Sequence, residues 1–205
     1  MKTGALVLAA GRASRFGSPK QLLEMGGITL LDGACMAARD AGCDPVLRVL
    51  GSRAELILGR PCPQGVATLV HRGWEEGMGA SLAAGMLELQ AMRPDLDAVL
   101  VLLSDQPMVG SAPFAEMFGR LRQPGISIVL CDHGEACGPP ALFSAEHFSE
   151  LQSLSGDQGA KAITRNHGNA VSKVHFPEGI WDIDSPEAWE RFNREMAASW
   201  AKRSG

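Results

Sequence analysis

Leu6-Val-Leu-Ala-Ala-Gly-Arg-Ala-Ser-Arg-Phe-Gly-Ser-Pro-Lys20 is the stretch whose reading decides the fold. Its apolar start, Leu6 to Leu8, reads as a buried strand, and the run breaks at Gly11. Arg12, Arg15 and Lys20 follow among small residues and a second glycine, Gly17. Glycines let backbone N–H groups approach a ligand closely, and the three cations add positive charge beside them. At the carboxyl end of a first strand such a loop suits a polyphosphate; the plainer reading is a surface loop with solvated cations. It is not a Walker A loop, because Ser18-Pro19 follows Gly17 where Lys and then Ser or Thr are required. Nor is it the dinucleotide fingerprint, whose glycines are closer together than Gly11 and Gly17.

The rest of the composition bounds what this loop can serve. A length of 205 residues suits one α/β domain with a well-buried core. The formal net charge is -4, so the cations of the opening loop are a local feature, and a nucleic-acid partner is not expected. Tyrosine is absent and aromatic residues make up 5%, which leaves little for stacking bases. No stretch approaches the ~20 apolar residues of a membrane span, and Ala5 to Ala10 is too short for a signal peptide. Cys35, Cys43, Cys62, Cys131 and Cys137 are odd in number and form no C-x-x-C pair. Reduced thiols and a cytoplasmic location are therefore expected.

Beyond the loop, strands and helices alternate. Thr29 reads as the N-cap of a helix running to Ala41 and stopped at Gly42. Strands are expected at Pro45 to Leu50, Val66 to Val70, Asp97 to Leu103, Ile126 to Cys131 and Val171 to Phe176. Helices are expected at Ala54 to Leu58, Ala80 to Met92, Pro113 to Leu121, Ala145 to Leu154 and Asp157 to Asn166. A last helix begins at Pro186 with Ser185 as its cap. Asp132 to Phe143 is turn-rich and reads as a hairpin, with Pro140 to Phe143 as the return strand. The alternation predicts an α/β, doubly wound and mostly parallel sheet with a small antiparallel hairpin region.

In such a sheet ligands sit beyond the carboxyl ends of the strands. Three features fall there: the Gly11 to Lys20 loop, the Gly77-Met-Gly-Ala-Ser81 loop and Asp105. Asp105 either starts the turn at Pro107 or holds Mg²⁺, which commonly takes one or two carboxylates beside phosphate oxygens. Gly77 to Ser81 precedes a helix whose free N–H groups, with the Ser81 hydroxyl, suit a phosphate or base edge; the alternative is a turn capped by Ser81. Asp182 and Asp184 alternate along an extended segment and share a face, so either can supply a second carboxylate. Cys131, His133 and Cys137 match no zinc spacing, and Gly79 to Ala83 lacks the second glycine of a hydrolase nucleophile elbow.

Six stretches in order resemble the MobA-like nucleotidyltransferases, and within them the molybdenum cofactor cytidylyltransferases. They are Leu8-Ala-Ala-Gly-x-x-x-Arg-Phe-Gly-x-x-Lys20, Gly77-Met-Gly-x-Ser-Leu82, Ser104-Asp-Gln-Pro107, Gly138-Pro-Pro-Ala-Leu-Phe143, Ser155-Gly-Asp-x-Gly-Ala160 and Asp182-Ile-Asp-Ser-Pro-Glu187. The resemblance implies a Rossmann-like three-layer fold of one domain. Residues up to about 110 would bind the nucleotide, and those from about 111 onward the acceptor. It implies transfer of CMP from CTP to a phosphorylated pterin, with Arg12, Arg15 and Lys20 on the triphosphate and Arg15, Lys20 and Asp105 central to catalysis. Leu8, Ala9, Ala10, Gly11, Gly79 and Ser81 would hold the nucleoside, and Asp105 would carry Mg²⁺ with Asp184 or Asp182. In this family Ala-Ala-Gly is associated with CTP and Ala-Gly-Gly with GTP. A transient contact with a molybdoenzyme or its chaperone is also implied. One departure stands out: relatives often carry Gly-His-Pro where this chain has Gly138-Pro139-Pro140, which bears on the acceptor more than on the nucleotide.

Overall fold

The computed structural model describes residues 1–11, 16 and 19–203, with side chains to 197. Strand β1, Thr3–Ala9, is buried at every position. Alternate residues feed two different cores, Ala5, Val7 and Ala9 one and Leu6, Leu8 and Ala10 the other. A strand buried on both faces needs a sheet with helices on each side, and that is the architecture observed.

After β1 comes a single 3-10 turn, Lys20–Leu22, and then a two-stranded ribbon of β2, Glu24–Met25, and β3, Ile28–Thr29. The ribbon has no counterpart in the sequence reading. Its turn, Gly26-Gly27, takes φ of 62° and 82°, the left-handed values a tight hairpin needs. Thr29 caps α1, Leu30–Asp40, its hydroxyl accepting from Asp32 N–H at 3.0 Å, and Gly42 follows the helix at φ 86°. Next are β4, Val46–Leu50; α2, Ala54–Leu58; β5, Val66–Val70; α3, Met78–Met92; β6, Ala98–Leu103; and α4, Ala112–Leu121. The chain continues through β7, Ile128–Asp132; β8, Cys137–Ser144; α5, Phe148–Gln152; α6, Lys161–Asn166; β9, Val171–His175; and α7, Pro186–Arg203.

Seven strands form one sheet in the order β5-β4-β1-β6-β8-β7-β9. The pairs β1–β4, β1–β6, β4–β5 and β7–β9 are parallel, and β8 is antiparallel to both β6 and β7. The expected hairpin is thus β7–β8, and its return strand is built into the main sheet rather than appended to it. Residues of α1, α2 and α4 pack on one face, and residues of α3, α5 and α6 on the other. Helix α7 adds a smaller cluster, in which Phe192 meets Leu30 and Ile183.

The helices around residue 155 are shorter than expected. Ala145–His147 is a 3-10 turn ahead of α5, and 153–160 stays out of α-helix, so α6 starts only at Lys161. The reason lies in α3. Its segment Gly77 to Gly79 packs against this loop, and Gly79 N–H donates to Gly156 C=O at 2.8 Å. The Gly156 carbonyl is thereby committed to another element, which holds this loop against α3.

Candidate active site

The strand order reverses beside β1, whose neighbours β4 and β6 are reached by connections on opposite faces. Crevices open at the carboxyl ends of strands at such a point. Here Leu8, Ala9 and Ala10 end β1, while Ser104 and Asp105 follow β6, and Ser104 N–H extends the ladder to Leu8 C=O at 3.1 Å.

The charged centre of the crevice is built from distant parts of the chain. Gln21 fixes the 3-10 turn to β1, its amide donating to Ala9 C=O at 3.1 Å, and so fixes Lys20. Lys20 Nζ lies 2.7 Å from Asp105 Oδ2 and 2.5 Å from Asp184 Oδ1. Asp184 arrives because Ile183 N–H donates to Asp105 C=O at 3.0 Å and the Ile183 side chain is fully buried. Alternation along that extended segment leaves Asp182 and Asp184 on the other side, as their spacing predicted. Carboxylate oxygens of Asp105, Asp182 and Asp184 all lie within 4.8 Å of one another.

The electrostatics follow. Burial alone would weaken the Lys20 ammonium, but Asp105 and then Asp184 outweigh it, and its pKa is raised. The Asp182 carboxyl is pushed up to about 7, first by loss of surrounding water, then by the charges of Asp105 and Asp184. Among the described residues, three carboxyl groups meet one ammonium here. Asp105 Oδ1 is buried without a hydrogen-bond partner among the described residues. An all-oxygen donor set with an orphaned buried acceptor fits a hard divalent cation such as Mg²⁺ or Mn²⁺.

A cavity of about 600 Å³ opens at this centre, lined by Ala9, Ala10 and Gly11 as well as by Lys20, Asp105 and Asp184. Trp74 and Ser81 also line it. Ser81 lies within α3 rather than at its cap, with its hydroxyl directed to Gly77 C=O at 3.3 Å. Gly79 faces the 155–158 loop instead of the cavity: a Cβ there would sit 2.6 Å from Gln158 O and 2.8 Å from Ser155 O. Its glycine is explained by backbone packing. Arg12, Arg15 and Gly17 lie outside the described residues.

A second cavity of about 490 Å³ adjoins the first, sharing Leu8, Leu103 and Asp182 as a common wall. Its floor is apolar, from Leu82, Val101, Leu130 and Phe143, and Lys161 and Thr164 stand at its side. Two residues that the sequence reading gave no role here line it, Gln106 and His133. The Gln106 amide donates to Pro139 C=O at 3.0 Å and Gly179 C=O at 3.2 Å, which leaves its carbonyl Oε1 buried and unpartnered among the described residues. Both His133 ring nitrogens face carbonyls, those of Phe176 at 2.9 Å and Pro139 at 3.0 Å. Cys131 is buried against Met117, and burial pushes its thiol up to about 12. Cys131, His133 and Cys137 therefore do not assemble into a ligand set.

Residues 5–171 match the model of the MobA-like NTP transferase domain. The chain belongs to that family. It is 32% identical over 198 residues to the nicotine blue oxidoreductase of Paenarthrobacter nicotinovorans, covering 92% of this chain and 95% of the relative. It is 25% identical over 203 residues to the purine catabolism protein PucB of Bacillus subtilis (strain 168), covering 93% and 95%. Among solved structures, Rv0371c of Mycobacterium tuberculosis H37Rv superposes with a TM-score of 0.80 at 29% identity, covering 93% of this chain and 96% of that one. A manganese complex of the same protein gives 0.76 at 27% identity, covering 93% and 97%. This MobA-like chain is thus a nucleotidyltransferase, and no described helix is long and apolar enough to cross a membrane.

Proposed function

We propose that this MobA-like enzyme transfers CMP from CTP to the phosphate of a molybdenum-cofactor-type pterin and releases pyrophosphate. The observation that carries the reading is the Lys20–Asp105–Asp184 cluster lining the first cavity, beside Asp182, which lines both that cavity and the adjoining one. In this reading the first cavity takes the nucleotide, with Ala9, Ala10 and Gly11 against the base and ribose. The second takes the acceptor, whose flat heterocycle suits the apolar floor and whose N–H groups suit the orphaned Gln106 Oε1.

An acceptor phosphate oxygen bonds to the α-phosphorus, the bond from that phosphorus to the α–β bridging oxygen breaks, and pyrophosphate leaves with the electron pair. No side-chain nucleophile is needed, since phosphoryl-type transfer rests on positioning and charge. Lys20, and Arg12 and Arg15 from the loop, neutralise the triphosphate. Asp105 with Asp184 or Asp182 would hold Mg²⁺, which when bound supplies charge neutralisation at the phosphates. The oxygen donor set and the manganese complex of Rv0371c both support a divalent ion. Five free cysteines accord with the cytoplasm.

By the family resemblance Ala9-Ala10-Gly11 supports CTP over GTP, and Pro139, where relatives often carry histidine, bears on the acceptor more than on the nucleotide. Thermal-shift titration with CTP, GTP, ATP and UTP in Mg²⁺ tests the first point, because ligand binding stabilises by mass action. A dominant shift with GTP would make the chain a guanylyltransferase. Turnover of radiolabelled CTP with and without molybdenum cofactor tests the acceptor. Pyrophosphate release that ignores the cofactor but responds to another phosphorylated compound would replace it.

A further inference from the structure

At the edge of the sheet opposite the nucleotide cavity, His147, Glu150 and His167 converge. We propose that they form a second metal site, built for a borderline transition ion such as Zn²⁺ and separate from the carboxylate cluster. Their ligand atoms all lie within 4.8 Å of one another. Glu150 Oε1 is 3.0 Å from His147 Nδ1 and 2.9 Å from His167 Nε2. With metal–ligand bonds of about 2.0–2.2 Å, neighbouring ligand atoms of a tetrahedral ion sit ~3.4 Å apart, so Glu150 Oε1, now hydrogen-bonded to both imidazoles, shifts outward to admit one. Two imidazole nitrogens and one carboxylate oxygen select zinc-like ions, whereas the three carboxylates of the nucleotide edge select hard ones.

The outer partners are also in place. His147 is buried, and its other ring nitrogen meets Ser127 Oγ at 2.8 Å with the Glu146 carboxylate at 3.4 Å. Such a partner fixes which nitrogen faces the ion and raises its basicity. Glu150 and His167 are each 37% exposed, so the site is anchored on the inside and open to an arriving ion on the outside. Without metal, both imidazole N–H groups donate to Glu150, whose carboxyl is held below its ordinary range, first by His147 and then, against desolvation, by His167.

The location gives the site a purpose. His147 and Glu150 belong to the start of α5, and His167 closes α6. These two short helices carry between them the 153–160 loop, which backs Gly79 and lends Asp157 to both cavities. An ion at the foot of the pair clips α5 to α6 and restrains that loop from below.

The test is a titration of the metal-free, tag-free full-length protein with Co²⁺ alone. Wild type is expected to show the visible d–d absorption of nitrogen-ligated cobalt and a raised Tm, and Zn²⁺ to bleach the signal. Asp105→Asn/Asp184→Asn is expected to keep both. His167→Ala is expected to lose the absorption and the share of the Tm rise that the double Asp variant keeps, while still melting cooperatively, and Ser127→Ala to weaken binding by roughly 10-fold or more. Should His167→Ala not fold, Glu150→Gln supplies the same comparison. No cobalt spectrum in wild type would overturn the proposal. So would a spectrum that survives His167→Ala or Glu150→Gln but disappears in the double Asp variant.

Discussion

Lys20 is the ammonium that lets Asp105 and Asp184 stand side by side, at 2.7 and 2.5 Å from its Nζ. Removing it leaves neighbouring carboxylates with nothing between them and removes a cation from the phosphate path. Lys20→Ala and Asp105→Ala are each expected to lower turnover by ~10²–10³ with far-UV CD unchanged, and pyrophosphate release measures it. Near wild-type release by either would sink their assignment. Asp182 sets a second expectation, for the metal-free protein. Its carboxyl titrates at about 7 when folded against 3.8 for a free one. Between those values the folded state holds a proton that the unfolded chain has released, so stability falls as pH rises through the window. Wild-type Tm is therefore expected to drop between pH 5 and 8 relative to Asp182→Asn, and parallel Tm curves would contradict it. The carboxylates and Lys20 were legible in the sequence because each follows a strand end or an alternating segment. Gln106 and His133 were not, since their roles depend on carbonyls of Pro139, Phe176 and Gly179, which only the folded chain brings near.

At the scale of elements, α3 and α7 act as supports. A Cβ on Gly79 would press on backbone oxygens of 155–158, which cannot swing aside as a flexible side chain would. Gly79→Ala is expected to cost about 1–3 kcal/mol in urea denaturation and to loosen the loop shared by both cavities. An unchanged midpoint would restore a direct ligand role as the reason for glycine. Phe192 of α7 is fully buried, edge-on to Trp181 and stacked with Trp189. It braces the segment that delivers Asp182 and Asp184. Phe192→Ala is expected to cost about 3–5 kcal/mol and to weaken Mn²⁺ binding at the nucleotide edge as well, which calorimetry would register. Cap residues such as Thr29, and Ser185, whose hydroxyl accepts from Ala188 N–H at 3.3 Å, marked these helices in the sequence. The shortened α5 and α6 carried no such mark, because what stops them is contact with α3, far away in the chain.

Across the whole molecule, the parallel half of the sheet was readable because Ala5 to Ala9 of β1 and all of β6 are unbroken apolar runs that suit a doubly covered strand. Strand β8 was readable as the return of a hairpin but not as the wedge between β6 and β7. Its antiparallel register with both partners is decided by pairing, which local composition does not encode.

That one reversed strand divides the enzyme by heredity as well as by geometry. Because β8 runs against its neighbours, its beginning, Cys137 to Pro139, meets the edge where the parallel strands end. The short β7–β8 turn at exposed Gly134 therefore overhangs the second cavity, while the first is framed by other strands. Insertions and deletions in that turn can refashion one binding surface and leave the other untouched. A lineage with this sheet can keep its nucleotide chemistry and change its clientele through a single loop.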